Sequence, residues 1–302
     1  MIGIILIFIA SLFFVGIVGR TKSLASGRKG PGILQPMKDI LRLLKKETIY
    51  GSTTSIVFKI APSIYFTSII TALLVVPFHN QQAIISFDGD FVFFAYILAL
   101  GKFFMIISAL DTGSAFEGMG ANREGLYSML VEPAFFILIA SFAMYTGKTS
   151  FYEIFYDFIN FNSSTTVFLI LLAAYILVQI AMIENSRLPI DDPKTHLELT
   201  MIHEVMILDN SGFDLAMILY ASSLKFVMYG MLIVNLFIES SMNMWVQVAI
   251  FFGVQFTWAV SAGLLESFRA RERMKKNPNF IFTLTVMSIM VFFGVLLMMN
   301  KI

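Results

Sequence analysis

Eight stretches of this chain are each apolar for about the length that crosses a lipid bilayer: near residues 2–18, 60–78, 91–110, 126–145, 166–183, 214–238, 245–265 and 280–299. A hydrocarbon interior offers backbone amides no water, so a spanning segment must close its hydrogen bonds internally, and about 20 mostly apolar helical residues suffice. The pattern predicts an all-α polytopic membrane protein, a single integral membrane domain over residues 1–302. Composition agrees, with 58% hydrophobic and 14% charged residues, well outside the range of soluble domains. The first run lacks the basic flank and small-residue cleavage site of a signal peptide, so it is read as a span.

The cations set an orientation. Eight of the 21 Lys and Arg fall between Arg20 and Lys46 and five between Arg269 and Lys276. Arg123, Arg187 and Lys194 join them in the connections after spans 1, 3, 5 and 7, whereas the opposite connections and the C-terminus hold only Lys148 and Lys301. The positive-inside bias places both termini outside and these connections in the cytoplasm. In the first of them, Gly30-Pro31-Gly32 signals a turn. Beyond it Ile33, Leu34, Met37, Ile40, Leu41 and Leu44 recur at helical spacing among Lys38, Asp39, Arg42, Lys45 and Lys46, which predicts an amphipathic interfacial helix at about 33–47 lying in the headgroups. Residues 151–160 suggest a second interfacial helix on the outer side. The remaining cytoplasmic segments are an acidic loop at about 184–213 and a basic loop at about 266–279.

Charges within spans are expensive and usually face a cavity, a partner or one another. Lys59, Lys102, Glu132 and Lys225 lie in or beside spans, and the acidic loop adds Glu184, Asp191, Asp192, Glu198 and Glu204. Together they suggest a polar route entering the bundle from the cytoplasm. A proton path, a substrate cavity and a structural ion-pair network would share this pattern; Lys59 alone could snorkel, and Lys225 could pair with one acid.

Other chemistry is excluded by spacing. The chain has no cysteine, hence no disulfide and no cysteine-ligated iron–sulfur cluster. His196 and His203 stand seven apart without the His-Glu-x-x-His pattern of a zinc site, so hydrogen-bonded or proton-carrying histidines are the better reading. "GMGANREG" at 118–125 joins two membrane helices and has Arg123 where a third glycine would stand, which predicts a flexible loop rather than a nucleotide site. No Walker motif and no supported serine nucleophile occur. No catalytic residue, cofactor or metal is expected in the chain, and its net charge of +1 gives no reason to expect nucleic acid.

The acidic stretch "ENSRLPIDDPKTHLELTMIHE" (184–204) resembles the complex I subunit 1 family, whose pattern runs Glu-x-x-Arg-x-Pro-x-Asp-x-Pro, four residues, then Glu-Leu. Here these are Glu184, Arg187, Pro189, Asp191, Pro193, Glu198 and Leu199; the first loop matches through Arg28, Gly30, Pro31, Gly32, Leu34, Gln35, Pro36 and Asp39. The loop before span 4 and "ESFRARER" after span 7 also look like family features. "DDPKTHLELTMIHE", with His196 in place of a carboxylate and a short Gly-Pro-Gly turn, is similar to the branch found in membrane-bound [NiFe] hydrogenases of the energy-converting and formate hydrogenlyase kinds. The resemblance implies eight spans with both termini outside, in a prokaryotic cytoplasmic membrane. It implies a membrane anchor and coupling subunit that docks a peripheral electron-transfer arm and links its redox chemistry to proton or sodium movement. Hydrogenase large and small subunits, an iron–sulfur subunit and antiporter-like membrane subunits would be its partners, and the [NiFe] centre and iron–sulfur clusters would reside in them. Glu132, Glu184, Asp191, Asp192, Glu198 and Glu204 would carry the coupling, with Lys225 as intramembrane relay. Arg28, Gln35, Asp39, Arg187, His196, His203, Arg269 and Arg271 would serve docking and ion pairing. A quinone-binding subunit of a respiratory dehydrogenase is the alternative. An autonomous secondary transporter is disfavoured by the lack of an internal repeat.

Overall fold

The computed structural model describes residues 2–51, 54–78, 81–158, 164–191, 201–238, 242–269 and 274–299. Among these the architecture is helical, and eight helical segments are long and apolar enough to cross a membrane. The first, Ile2–Ala25, is built from α1 (Ile2–Ser11) and α2 (Phe14–Ala25). At their junction the Leu12 and Phe13 amides donate to the carbonyls of Ile9 and Ala10, three residues back rather than four, which tightens the turn without ending the span. The predicted helix at about 33–47 is present as the shorter α3 (Gln35–Leu43), with a proline in its first turn, where no amide donor is needed.

Helix α4 (Ile56–Val75) starts at Ser55, whose hydroxyl accepts from the Val57 amide at 3.1 Å. The Ser55 amide donates to Asp111 at 2.7 Å, which ties the start of α4 to the end of its antiparallel neighbour α5 (Asp90–Asp111). Next come α6 (Ala115–Thr146), α7 (Phe151–Phe158), α8 (Ser164–Glu184) and the single turn α9 (His203–Met206). The bundle is completed by α10 (Gly212–Val234), α11 (Met244–Phe268) and α12 (Asn277–Met298).

Residues 118–125 are not a loop. They lie inside α6, a helix of 32 residues, about 48 Å long and thus longer than the membrane core is thick. One of its glycines serves packing: a Cβ at Gly120 would stand 2.7 Å from the Ile202 carbonyl, so glycine is what lets α6 approach the segment leading into α9. The turn is confined to Thr112–Ser114, and α6 ends at Gly147 with φ 69°, the left-handed conformation glycine adopts freely.

Helix α10 is the centre of the bundle, packed by α1, α2, α3, α4, α8 and α11, while α12 packs on α6 and α8. Lipid is as apolar as leucine, so such helices associate through close fit rather than through exclusion of water. Gly263 of α11 shows this: a Cβ there would overlap the Thr21 side chain and the Val18 carbonyl of α2. The outward surface keeps large apolar side chains such as Phe168, Trp245 and Phe282 exposed, as lipid contact allows.

Candidate functional site

Helix α8 stops in the middle of the bundle, and the site follows from that. Its last residue, Glu184, meets Lys225, which lies 13 positions into α10, about 20 Å from that helix's start. Non-helical backbone at such depth is tolerated only where protein or a cavity surrounds it. The helix is closed by the Ser186 and Arg187 amides, which donate to the Ile183 and Met182 carbonyls at 3.0 and 2.9 Å, with Ser186 at φ 51°. Lys225 Nζ donates to the Glu184 backbone carbonyl at 2.6 Å and pairs with its Oε2 at 2.9 Å. A cation thus sits where the helix dipole ends negative.

Glu184 holds a second ammonium. Lys102 of α5 reaches Glu184 Oε1 at 2.9 Å, Glu124 Oε1 of α6 at 3.3 Å and the Ser128 hydroxyl at 3.1 Å. The four charged residues are all buried and their formal charges cancel. Desolvating them is offset only by their mutual geometry, so removing one partner of such a group typically costs about 3–5 kcal/mol.

These residues form one end of a cavity of about 540 Å³. Met105, Met206, Ile207, Leu219 and Phe226 make its middle apolar, and Tyr65 and Ser222 line it beside the lysines. Towards α2 and α11, Arg187 pairs with Glu266 at 2.7 Å, and Lys22 reaches the other oxygen of Glu266 at 3.6 Å. The Arg187 guanidinium lies 4.9 Å over the Phe226 ring, which stacks on Trp258 at 5.1 Å. Gln35 and Asp39 of α3, joined at 2.8 Å, line the same cavity, as do His203 and Glu204. A small second pocket of about 30 Å³ is lined by Glu132, Lys102, Ser128 and Glu184, and shares Lys102 and Glu184 with the cavity.

The segment that closes the cavity is pinned at several points. Asp191 accepts the His203 amide at 3.0 Å, Arg123 donates to the Met201 carbonyl at 3.2 Å, and Glu117 accepts the Asp209 amide at 3.1 Å. Burial pushes the His203 imidazole below its usual pKa; Glu124 opposes this and Lys225 and Lys102 reinforce it. The ring is therefore neutral near pH 7. No group of three or more His, Cys, Asp or Glu suited to a metal ion occurs among the described residues.

Of the residues singled out from sequence, Glu184, Lys225, Arg187, Gln35, Asp39, His203 and Glu204 meet at the cavity, and Glu132 stands at the adjoining pocket. Asp191 is buried and holds the closing segment. Arg28 is exposed and does not line the cavity, and Arg269 stacks over Phe280 at 5.1 Å. Lys59 is exposed over the Tyr50 ring at 5.1 Å, apart from the site. Asp192, His196, Glu198 and Arg271 lie outside the described residues. Sequence reasoning missed Glu124, Glu266, Lys22 and Tyr65, and placed Lys102 only on a general polar route, not beside Glu184. A helical reading of 115–131 would have found Glu124, because buried Glu117, Glu124 and Val131 recur every seven residues.

The fold is similar to a chain of the membrane-bound sulfane sulfur reductase (MBS), an archaeal respiratory membrane complex. The TM-score is 0.77 over 97% of this chain and 96% of that one, at 19% identity. The NADH dehydrogenase family pattern matches residues 1–298. This chain belongs to the NADH dehydrogenase subunit 1 family. It is 31% identical to hydrogenase-4 component C of Escherichia coli K12, over 78% of this chain and 73% of that protein. Formate hydrogenlyase subunit 4 of the same organism is 27% identical over 78% and 75%. The resemblance first drawn from residues 184–204 is thereby confirmed, and the chain is a multi-pass subunit of the complex I-like class.

Proposed function

We propose that this subunit anchors the peripheral arm of an ion-translocating membrane-bound [NiFe] hydrogenase and couples the arm's redox chemistry to ion movement. The likeness to hydrogenase-4 component C and formate hydrogenlyase subunit 4 supports the hydrogenase branch. The observation that carries the coupling role is the sharing of Lys102 between Glu184 and Glu124, with Lys225 on the far oxygen of Glu184. A proton arriving at Glu184 from the cavity removes the charge that holds both lysines; Lys102 then keeps Glu124 as its carboxylate partner. The change reaches the pocket of Glu132, which lies beside Lys102 and Glu184. A charge event on the arm side thus biases a two-state arrangement inside the membrane. The metal centre and clusters belong to partner subunits of the peripheral arm, and antiporter-like subunits flank this one in a prokaryotic cytoplasmic membrane.

The test is ion translocation per hydrogen formed in membrane vesicles, at matched amounts of assembled complex, for Glu184→Gln. Normal assembly with lost translocation supports the reading. Wild-type turnover and stoichiometry would remove Glu184 from the path. One observation favours quinone binding as a second reading: the cavity is mostly apolar and large enough for a ring-sized ligand. Sensitivity of hydrogen formation to quinone-site inhibitors separates the two.

A further inference from the structure

Helix α3 has three faces rather than two. At 100° per residue, Gln35, Asp39, Leu43, Pro36 and Ile40 share an arc of about 140°, and four of these (all but Leu43) line the cavity. Leu34, Met37, Leu41 and Leu44 share a second arc, and all but Met37 are exposed, Leu41 at 48%. Lys38 and Arg42 define the remaining arc, which Lys45 continues past the helix end with Lys46 following it in the chain; all four are exposed. Lys38, Lys45 and Lys46 have no carboxylate partner among the described residues, and Arg42 approaches Asp39 only at 3.4 Å.

The helix is also placed by its neighbours. It connects the end of α2 to the start of α4, two spans that finish at the same side of the bundle, and it packs on α10 and α2. A helix held there has protein on one side, acyl chains on a second and headgroups on a third, and its faces match those three surroundings in chemistry.

We infer that the Lys38–Arg42–Lys45–Lys46 face is a binding surface for anionic phospholipid, with Leu34, Leu41 and Leu44 seated in the acyl region. Unpaired lysines on an interfacial helix take phosphodiester headgroups, and each adds attraction to an anionic leaflet. The adjoining face of the same short helix roofs the cavity through Gln35, Asp39 and Ile40. The lipid therefore holds the roof from outside, whatever chemistry the cavity serves.

The chain's lack of cysteine makes the test direct. Leu41→Cys in the full chain is labelled with a bimane fluorophore and placed in nanodiscs containing brominated phosphatidylglycerol or, at the same mole fraction, brominated phosphatidylcholine. Quenching should be about twofold or more stronger with the brominated anionic lipid. The difference should vanish in the Lys38→Gln, Arg42→Gln, Lys45→Gln, Lys46→Gln variant. It should also vanish in the unsubstituted labelled chain at 1 M salt, where the screening length shrinks to about 3 Å; this arm stands even if the fourfold variant fails to fold. Equal quenching by both lipids at low salt overturns anionic selectivity. Quenching by neither overturns membrane contact altogether and leaves the face to the peripheral arm.

Discussion

Two carboxylates are buried in this bundle, one at the start of α5 and one at the end of α8, and their partners differ in kind. Asp90, fully buried at the start of α5, accepts the Phe151 amide at 2.6 Å and the Ser150 hydroxyl at 3.0 Å. Phe94 packs edge-on to Phe151 at 5.4 Å, and Phe151 stacks on Phe155 at 5.8 Å, so an aromatic cluster covers this latch. Glu184 instead sits between two ammonium groups beside a cavity, one of them shared with Glu124. Neutral donors fixed by backbone and a short side chain leave Asp90 a single arrangement, which fastens α5 to α7. Long, charged and shared partners leave Glu184 with alternatives when its charge changes. Burial alone therefore does not mark function; the mobility and sharing of the partners do.

The largest effect should come from Glu184→Gln, which leaves Lys102 and Lys225 without their common carboxylate. Ion translocation per hydrogen is expected to fall about tenfold or more, with assembly quantified in parallel. A variant that loses only assembly would place Glu184 in the same structural class as Asp90. Glu198→Gln should give an intermediate effect, fewer ions moved per hydrogen at matched assembly, and an unchanged ratio would take Glu198 out of the coupling chain.

Asp90→Ala should do the opposite of Glu184→Gln. Orphaning the Phe151 amide, while Ser150 keeps only its contact with the Ser86 hydroxyl at 3.1 Å, should lower stability by about 1–3 kcal/mol, read as a drop in thermal midpoint, with activity per assembled complex unchanged. A loss of activity per complex would erase the distinction between the two carboxylates.

His203 offers a smaller, pH-resolved effect. Its folded pKa is depressed by burial, so between that value and the unfolded pKa of about 6.5 the unfolded chain binds more protons. Stability is then full above about pH 6.5 and declines as pH falls below it. The decline should weaken in His203→Gln, measured as thermal midpoint against pH, and an identical profile in both proteins would rule out this histidine as its source. The smallest change is expected from Ser186→Gly. Relief of a left-handed non-glycine backbone at φ 51° should stabilise the α8 terminus by about 1 kcal/mol at most, visible as a slight rise in thermal midpoint.

The eight spans were legible because their signal is local: an apolar run of sufficient length is a membrane helix whatever packs against it. The acidic motif was legible too, because Glu184, Arg187 and Asp191 stand in one short stretch of chain. Helix α6 misled because Gly118, Gly120 and Gly125 read as turn residues when considered alone. Only the neighbouring chain at Ile202 shows that Gly120 is there for close approach. The site itself required the tertiary structure. Lys102, Glu184 and Lys225 come from three helices that are apolar on every side, so no periodicity in their sequences says which face turns inward, and they meet Glu124 from the polar first half of α6. In lipid that rotation is decided by close fit between helices and by polar groups finding one another. Those choices are made between segments far apart in the chain, and they brought the four charges together where α8 ends.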